Sequence, residues 1–149
     1  MTDTLVYSTA TPVLAYEVPT KVQSVQEVSK PSVSSAESIS LKEITRLVEK
    51  YATPLGVSHR SMIETIKGEA PKNKDGTFDA AGQSRIINSK GVRENSWGIC
   101  QIHLPDHPYV TKAQAQSPEF CVKFMAEAFA RGDAKWWSVW KNLKAKGVI

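Results

Sequence analysis

The chain has 149 residues and a mass of 16.4 kDa, room for one ordinary domain and a tail. Hydrophobic residues at 41% and charged residues at 23% exclude a fully disordered chain, a coiled-coil rod and a collagen-like polymer. No stretch approaches the roughly 20 apolar residues of a membrane-spanning helix, two cysteines make neither a disulfide framework nor a four-cysteine zinc site, and the net charge of +4 is mild.

Residues 1–38 hold twelve Ser or Thr, seven Val and three Pro, but no Gly, Arg, Phe or Trp. A segment so poor in large side chains buries too little apolar area to offset its own ordering entropy. It reads as a flexible tail or linker, with Val18, Val22, Val25 and Val28 at a spacing that suits a short helix formed on a partner. Met1–Leu14 lacks a basic start and is interrupted by Thr4, Ser8, Thr9, Thr11 and Pro12, so it is a poor signal peptide. Charge divides at the same place: residues 1–38 carry two Lys against four acids, whereas residues 39–149 carry 17 basic against 11 acidic side chains. The basic part is therefore the part expected to fold, which favours an anionic partner or simply solubility.

From Ser40 the chain is punctuated for helices. Ser40 and Glu43 predict a capping box, with Ile39 and Ile44 as its staple; Leu41, Ile44, Leu47, Val48 and Tyr51 then line one face until Pro54. Ser58 predicts the cap of a second helix, stapled by Val57 and Met62 and ending near Ala70 before Pro71. Residues 71–95 are polar, with Gly76, Gly82 and Gly91: a long loop with room for a small hairpin. A short apolar turn, Trp97–Ile102, follows. Thr111 and Gln114 predict another capping box, and Ser117-Pro118 opens a strong helix through Cys121, Phe124 and Phe129 that Gly132 ends. Asp133 is expected to cap a last helix carrying Trp136, Trp137 and Trp140. With no alternating run of a large sheet and no internal repeat, the domain at 39–149 reads as mainly α.

Chemistry concentrates in two places. On the second helix Met62, Ile63, Ile66 and Ala70 share an apolar face, Glu64 falls opposite in solvent, and Glu69 lies at the edge of that face where the helix stops. A half-buried carboxylate at a helix C-terminus is disfavoured by desolvation and by the helix dipole, both of which raise its pKa as a general acid requires. A surface Glu, or a salt bridge to Lys67 or Lys72, is the competing reading. The second place is Ser96-Trp97-Gly98-Ile99-Cys100-Gln101-Ile102-His103, where Gly98 permits a close approach of backbone or substrate. Gln101 there satisfies a buried partner or reads a polar ligand such as a sugar.

Taken together, Ile66-Lys67-Gly68-Glu69-Ala70, the loop Phe78-Asp79-Ala80-Ala81-Gly82-Gln83-Ser84, and Ser96 to Ile102 resemble the soluble lytic transglycosylase (SLT) family of lysozyme-like domains. The family pattern is Glu-Ser, a loop bearing Phe, Asn and Ala, then Ser-x-Gly-Leu-Met-Gln-Ile. The stretches Gln101–Pro108, Thr111–Ala115 and Pro118–Phe120 are similar to small lysozyme-like domains of phages and bacteria. The resemblance spans roughly residues 40–145. It implies a lysozyme-like, SLT-type fold, peptidoglycan as partner, Glu69 as the catalytic residue and Ser84, Ser96, Gly98 and Gln101 along the sugar groove, with no metal or cofactor. The chain departs from the pattern at Ala70, in the longer spacing from Glu69 to Phe78, and in lacking the late tyrosine near Trp136–Trp140. The cell wall, the periplasm or a virion would be its place of work, and residues 1–38 would tether it.

Hydrolysis of a glycosidic bond usually needs two carboxylates at a set separation. Asp75, Asp79 and Glu94 sit in loop sequence and Asp106 lies between Pro105 and His107, so Glu69 has no evident partner. Lytic transglycosylation needs one, because the muramic acid 6-hydroxyl is the nucleophile. A muramidase using a loop carboxylate such as Asp79, and a non-catalytic virion or wall-binding protein of the same fold, remain the alternatives. Elsewhere, Pro105 breaks the helix that would bring His103 and His107 to one metal with Asp106. Cys100 lacks the electropositive surroundings of a reactive thiolate. With Cys121 it belongs in the core, paired or not; the tryptophans suit either a core or a sugar platform. Nucleic-acid binding has only net charge in its favour.

Overall fold

The computed structural model describes residues 38–149, so the tail assignment and the valine spacing before Ser38 lie outside the described residues. The first element is β1 (Ser38–Ile39), followed by α1 (Leu41–Ala52). Ser40 caps α1 by accepting the Glu43 N–H at 3.2 Å, but the Glu43 carboxylate turns to Arg46 at 3.4 Å, so only half of the box forms. Ile39, Ile44, Leu47 and Val48 are buried as their spacing predicts, whereas Leu41 in the first turn is 42% exposed. Pro54 sits in a 3-10 turn, Thr53–Leu55, that closes α1. Ser58 caps α2 (His59–Glu69), which buries Met62, Thr65 and Ile66 and stops before Pro71. Glu64 is only a third exposed rather than free in solvent, since Lys67 holds it at 2.8 Å.

The polar loop is more ordered than its composition suggests. Its β2 (Phe78–Asp79) pairs antiparallel with β1, Ser38 facing Asp79 and Ile39 facing Phe78. Ser38, the last residue assigned to the tail, therefore belongs to the folded part. A small hairpin follows, with Ile87 opposite Arg93, and Gln83 bridges to Trp97. The apolar turn resolves into β3 (Ser96–Trp97) and β4 (Ile102–His103), an antiparallel pair around Gly98–Gln101. Gly98 has φ +75°, and a side chain there would run into the carbonyl of Ala115. The close approach it permits is to backbone.

Both halves of the Thr111–Gln114 capping box are present at α3 (Lys112–Gln116). Ser117 caps α4 (Pro118–Ala130), which carries Cys121, Val122, Phe124, Met125, Ala126 and Ala128 inward. Cys100 and Cys121 form a disulfide, their Cα atoms 5.8 Å apart. α1 packs on α4 and α2, and the end of α2 meets α5 (Ser138–Ala145). The final segment departs from expectation. Asp133–Trp136 is a separate 3-10 turn, so Asp133 does not cap a continuous helix. The chain straightens at Trp137, whose indole is buried and donates to the Cys100 carbonyl at 2.7 Å. That anchor fixes where α5 starts. The described residues are thus mainly helical, with two short antiparallel strand pairs. No helix among them is long and apolar enough to cross a membrane.

Candidate active site

Glu69 is the last residue of α2, half-buried, and it faces the first turn of α5. Its Oε1 accepts the Val139 N–H at 3.0 Å and the Ser138 hydroxyl at 3.4 Å. Both polar contacts of Glu69 thus come from another element. The carboxylate ends α2 but also caps the positive end of α5, so the two helix dipoles act on it in opposite directions. Burial still wins. Desolvation pushes the Glu69 carboxyl above the usual range; the Val139 N–H and the Ser138 hydroxyl oppose this, and the charge of Glu94 adds to the rise. Neither salt bridge offered by the sequence forms: Lys67 is engaged with Glu64, and no cation lies within salt-bridge distance of Glu69 among the described residues.

The approach of α5 depends on Gly68. A Cβ at that position would strike the Val139 side chain, with Cγ2 at 3.1 Å and Cγ1 nearer still. With glycine there, the first turn of α5 settles close against the end of α2 and delivers the Val139 N–H to the neighbouring Glu69.

Around Glu69 runs an open groove of about 630 Å³, with Lys72, Arg85, Glu94 and Trp136 among its walls. It shares Gln101, His103, Asp106, Trp136 and Trp137 with an adjoining hollow of about 280 Å³, and the two together are called the cleft. Such an open, extended shape suits a chain-like substrate better than a small enclosed molecule. Trp136, 44% exposed, lines it, while Trp137 is buried in the core cluster and Trp140 packs partly buried on Phe129. His107 lies 4.9 Å from the Trp136 ring, and burial holds its imidazole below the usual range. His103 is engaged with Asp106 at 2.9 Å.

Of the four groove residues expected from the sequence, Ser84, Ser96 and Gln101 line the cleft and Gly98 does not. Gly98 is buried against α3 for the steric reason given above. Ser84 donates its hydroxyl to Glu94 at 2.8 Å, so it orients that carboxylate. The amide nitrogen of Gln101 donates to the backbone carbonyls of Gly98 at 2.6 Å and Gly82 at 3.3 Å. Gln101 thereby ties the β3–β4 turn to the loop, from a left-handed backbone at φ +49° that non-glycine residues seldom adopt.

Glu94 is the residue that sequence reasoning set aside. Gln83 donates to its backbone carbonyl at 3.0 Å and Ser84 to its side chain, and together they hold it on the wall of the groove that Glu69 also lines. Asp79, the loop carboxylate considered for hydrolysis, accepts the Ala81 N–H at 3.0 Å within its own turn and is absent from the cleft. A cue to Glu94 existed in the serine ten residues before it, but nothing local marked that pairing. No family model, curated protein or solved structure matches the chain.

Proposed function

We propose that this protein cleaves the β-1,4 bond between MurNAc and GlcNAc in peptidoglycan by lytic transglycosylation, with Glu69 as general acid and then base on a lysozyme-like, SLT-type domain. One observation carries the reading: a half-buried carboxyl with a raised pKa, in no salt bridge among the described residues and held by the start of α5 beside an open groove. A raised pKa keeps Glu69 protonated nearer neutral pH, so it can protonate the departing glycosidic oxygen. The resulting carboxylate takes the proton of the muramic acid 6-hydroxyl as that oxygen attacks C1, giving a 1,6-anhydro product. Trp136 supplies a face for a sugar ring. The excess of basic side chains in residues 39–149 suits an anionic wall. The Cys100–Cys121 disulfide supports a place of work outside a reducing cytosol.

Glu94 favours a second reading, hydrolysis, since a carboxylate on the same groove can activate water. Digestion of purified peptidoglycan separates the two. Anhydro-muropeptides support transglycosylation, reducing muramic ends support hydrolysis, and no products at all would leave a non-catalytic wall-binding protein. Glu69→Gln is expected to abolish product formation without lowering the melting temperature at pH 7. The sign follows from the raised pKa: the folded state favours the protonated carboxyl, and that contribution is lost as pH rises through the folded-state pKa. Glutamine keeps an acceptor for Val139 and carries no charge to desolvate. An active Glu69→Gln enzyme would refute the assignment.

A further inference from the structure

At the rim of the cleft, the feature that most requires explanation is the hairpin spanning residues 85–94, whose Arg85, Ile86 and Glu94 are also part of the cleft wall. Three of the large hydrophobic side chains standing in solvent are on it: Ile86 and Ile87 at 61% and Val92 at 58% exposed. Arg85, Lys90 and Arg93, all exposed, intersperse them. Neighbours in an antiparallel pair share a face, so Ile86 and Val92 lie on one side of the hairpin and Ile87, opposite Arg93, on the other. Aliphatic side chains exposed on both faces do not suit a protein partner that covers one of them. They suit a medium that surrounds the tip.

The backbone is prepared for such a medium. Asn88 N–H donates to the Val92 carbonyl and Glu94 N–H to that of Ile86, each at 2.9 Å, and Gly91 N–H closes on Asn88. The Asn88 side chain accepts the N–H groups of Lys90 and Val92 at 2.9 and 3.0 Å. These five donors are satisfied within the hairpin, which lowers the cost of leaving water for an apolar phase. Exposed aliphatic side chains among cations, on a tip with these five backbone donors paired, match the boundary layer of a negatively charged bilayer. A soluble polyanion would use the cations and leave the isoleucines without purpose.

We infer that the hairpin of residues 85–94 is a membrane-surface anchor, seating Ile86, Ile87 and Val92 in the headgroup–acyl boundary of an anionic phospholipid bilayer while Arg85, Lys90 and Arg93 engage the lipid phosphates. Because Arg85 and Ile86 also line the cleft, a seated hairpin brings the mouth of the cleft to the membrane surface.

The test is cosedimentation of the full chain with vesicles of phosphatidylcholine alone or mixed with phosphatidylglycerol, at low and high salt. The protein is expected to pellet with the anionic vesicles, and less so at high salt. Ile87→Ser/Val92→Ser should reduce the partition coefficient about tenfold or more, with an unchanged melting temperature because both side chains already face solvent. Lys90→Gln/Arg93→Gln should remove most of the salt dependence. Failure to bind anionic vesicles, or equal binding by Ile87→Ser/Val92→Ser, would overturn the anchor. So would a concentration-dependent dimer that this variant abolishes, since a second copy would then be the occupant. Cleavage of soluble glycan strands by the same variant reports on the cleft separately.

Discussion

Gly68→Ala tests whether the first turn of α5 holds the carboxyl of Glu69, the proposed general acid. The added methyl meets Val139 Cγ2 at 3.1 Å and Val139 Cβ at 3.3 Å, with Cγ1 closer. Rotating Val139 about χ1 moves the two Cγ atoms but leaves Cβ in place, so the backbone of α5 must give. The bonds it carries to Glu69 are 3.0 and 3.4 Å long, and a retreat of even about half an ångström takes the longer one beyond hydrogen-bond range. Overpacking costs about 1–3 kcal/mol, against a gain of up to about 1 kcal/mol for replacing glycine in a helix. A net loss of about 1 kcal/mol is expected. The sharper readout is the pKa of Glu69, followed by NMR of its carboxyl carbon. Both contacts with α5 lower that pKa, so weakening them should raise it further and carry the protonated form to higher pH. Val139→Ala removes both Cγ atoms and should partly rescue Gly68→Ala, with a coupling of about 1 kcal/mol in a double-mutant cycle. A Gly68→Ala protein more stable than the wild type, with Glu69 titrating as before, would refute the reasoning.

Three further outcomes are expected. Glu94→Gln removes a charge that raises the Glu69 pKa, so the pH–rate profile should move toward lower pH; a rate loss of about a hundredfold or more would assign Glu94 to water activation and favour hydrolysis. Gln101→Ala strips the donor from the Gly98 and Gly82 carbonyls and should cost about 1–3 kcal/mol in chemical denaturation, while Gln101→Gly should be milder because glycine accepts φ +49°; an unchanged stability would return Gln101 to a purely substrate-facing role. Reducing the Cys100–Cys121 bond, with its sequence separation of 21, should cost about 3 kcal/mol and lower the melting temperature by roughly 10 °C, read by thermal melts with and without reductant; identical melts would show that this crosslink adds no stability.

What was legible in the sequence follows a physical rule. Caps and apolar faces act over three or four residues, so Ser40, Ser58, Thr111 and Ser117 announce their helices and the buried stripes of α1, α2 and α4 follow from spacing. The β1–β2 pairing was not legible, because two-residue strands carry no alternation and their partners are far apart in the chain. The break at Trp137 escaped for the same reason, since its cause is a hydrogen bond to Cys100 on another element. In the site, Glu69 stood out because burial and a helix end can both be read locally. Its partner on α5 could not, as a backbone N–H has no residue signature; Gly68, a small residue placed just before a candidate acid, was the available sign.

For the proposed chemistry, Glu94 matters most. A lone glutamate was the sequence's reason for transglycosylation over hydrolysis, and that reason assumed that a loop carboxylate stays remote. The loop instead folds back, Gln83 and Ser84 fix Glu94, and its charge is felt at Glu69. The choice between the two reactions therefore no longer turns on how many carboxylates the chain owns. It turns on what reaches C1 of the bound sugar first. Hydrolysis needs a water held between Glu94 and the far face of the ring, whereas transglycosylation needs that water kept out and the 6-hydroxyl turned inward. Because Ser84 engages the Glu94 carboxylate, one of its oxygens is already occupied on the groove wall. Ser84→Ala frees that oxygen, so a protein that makes anhydro products should then show an increased share of hydrolytic ones. An unchanged product ratio would mean that Glu94 acts only through its charge on Glu69.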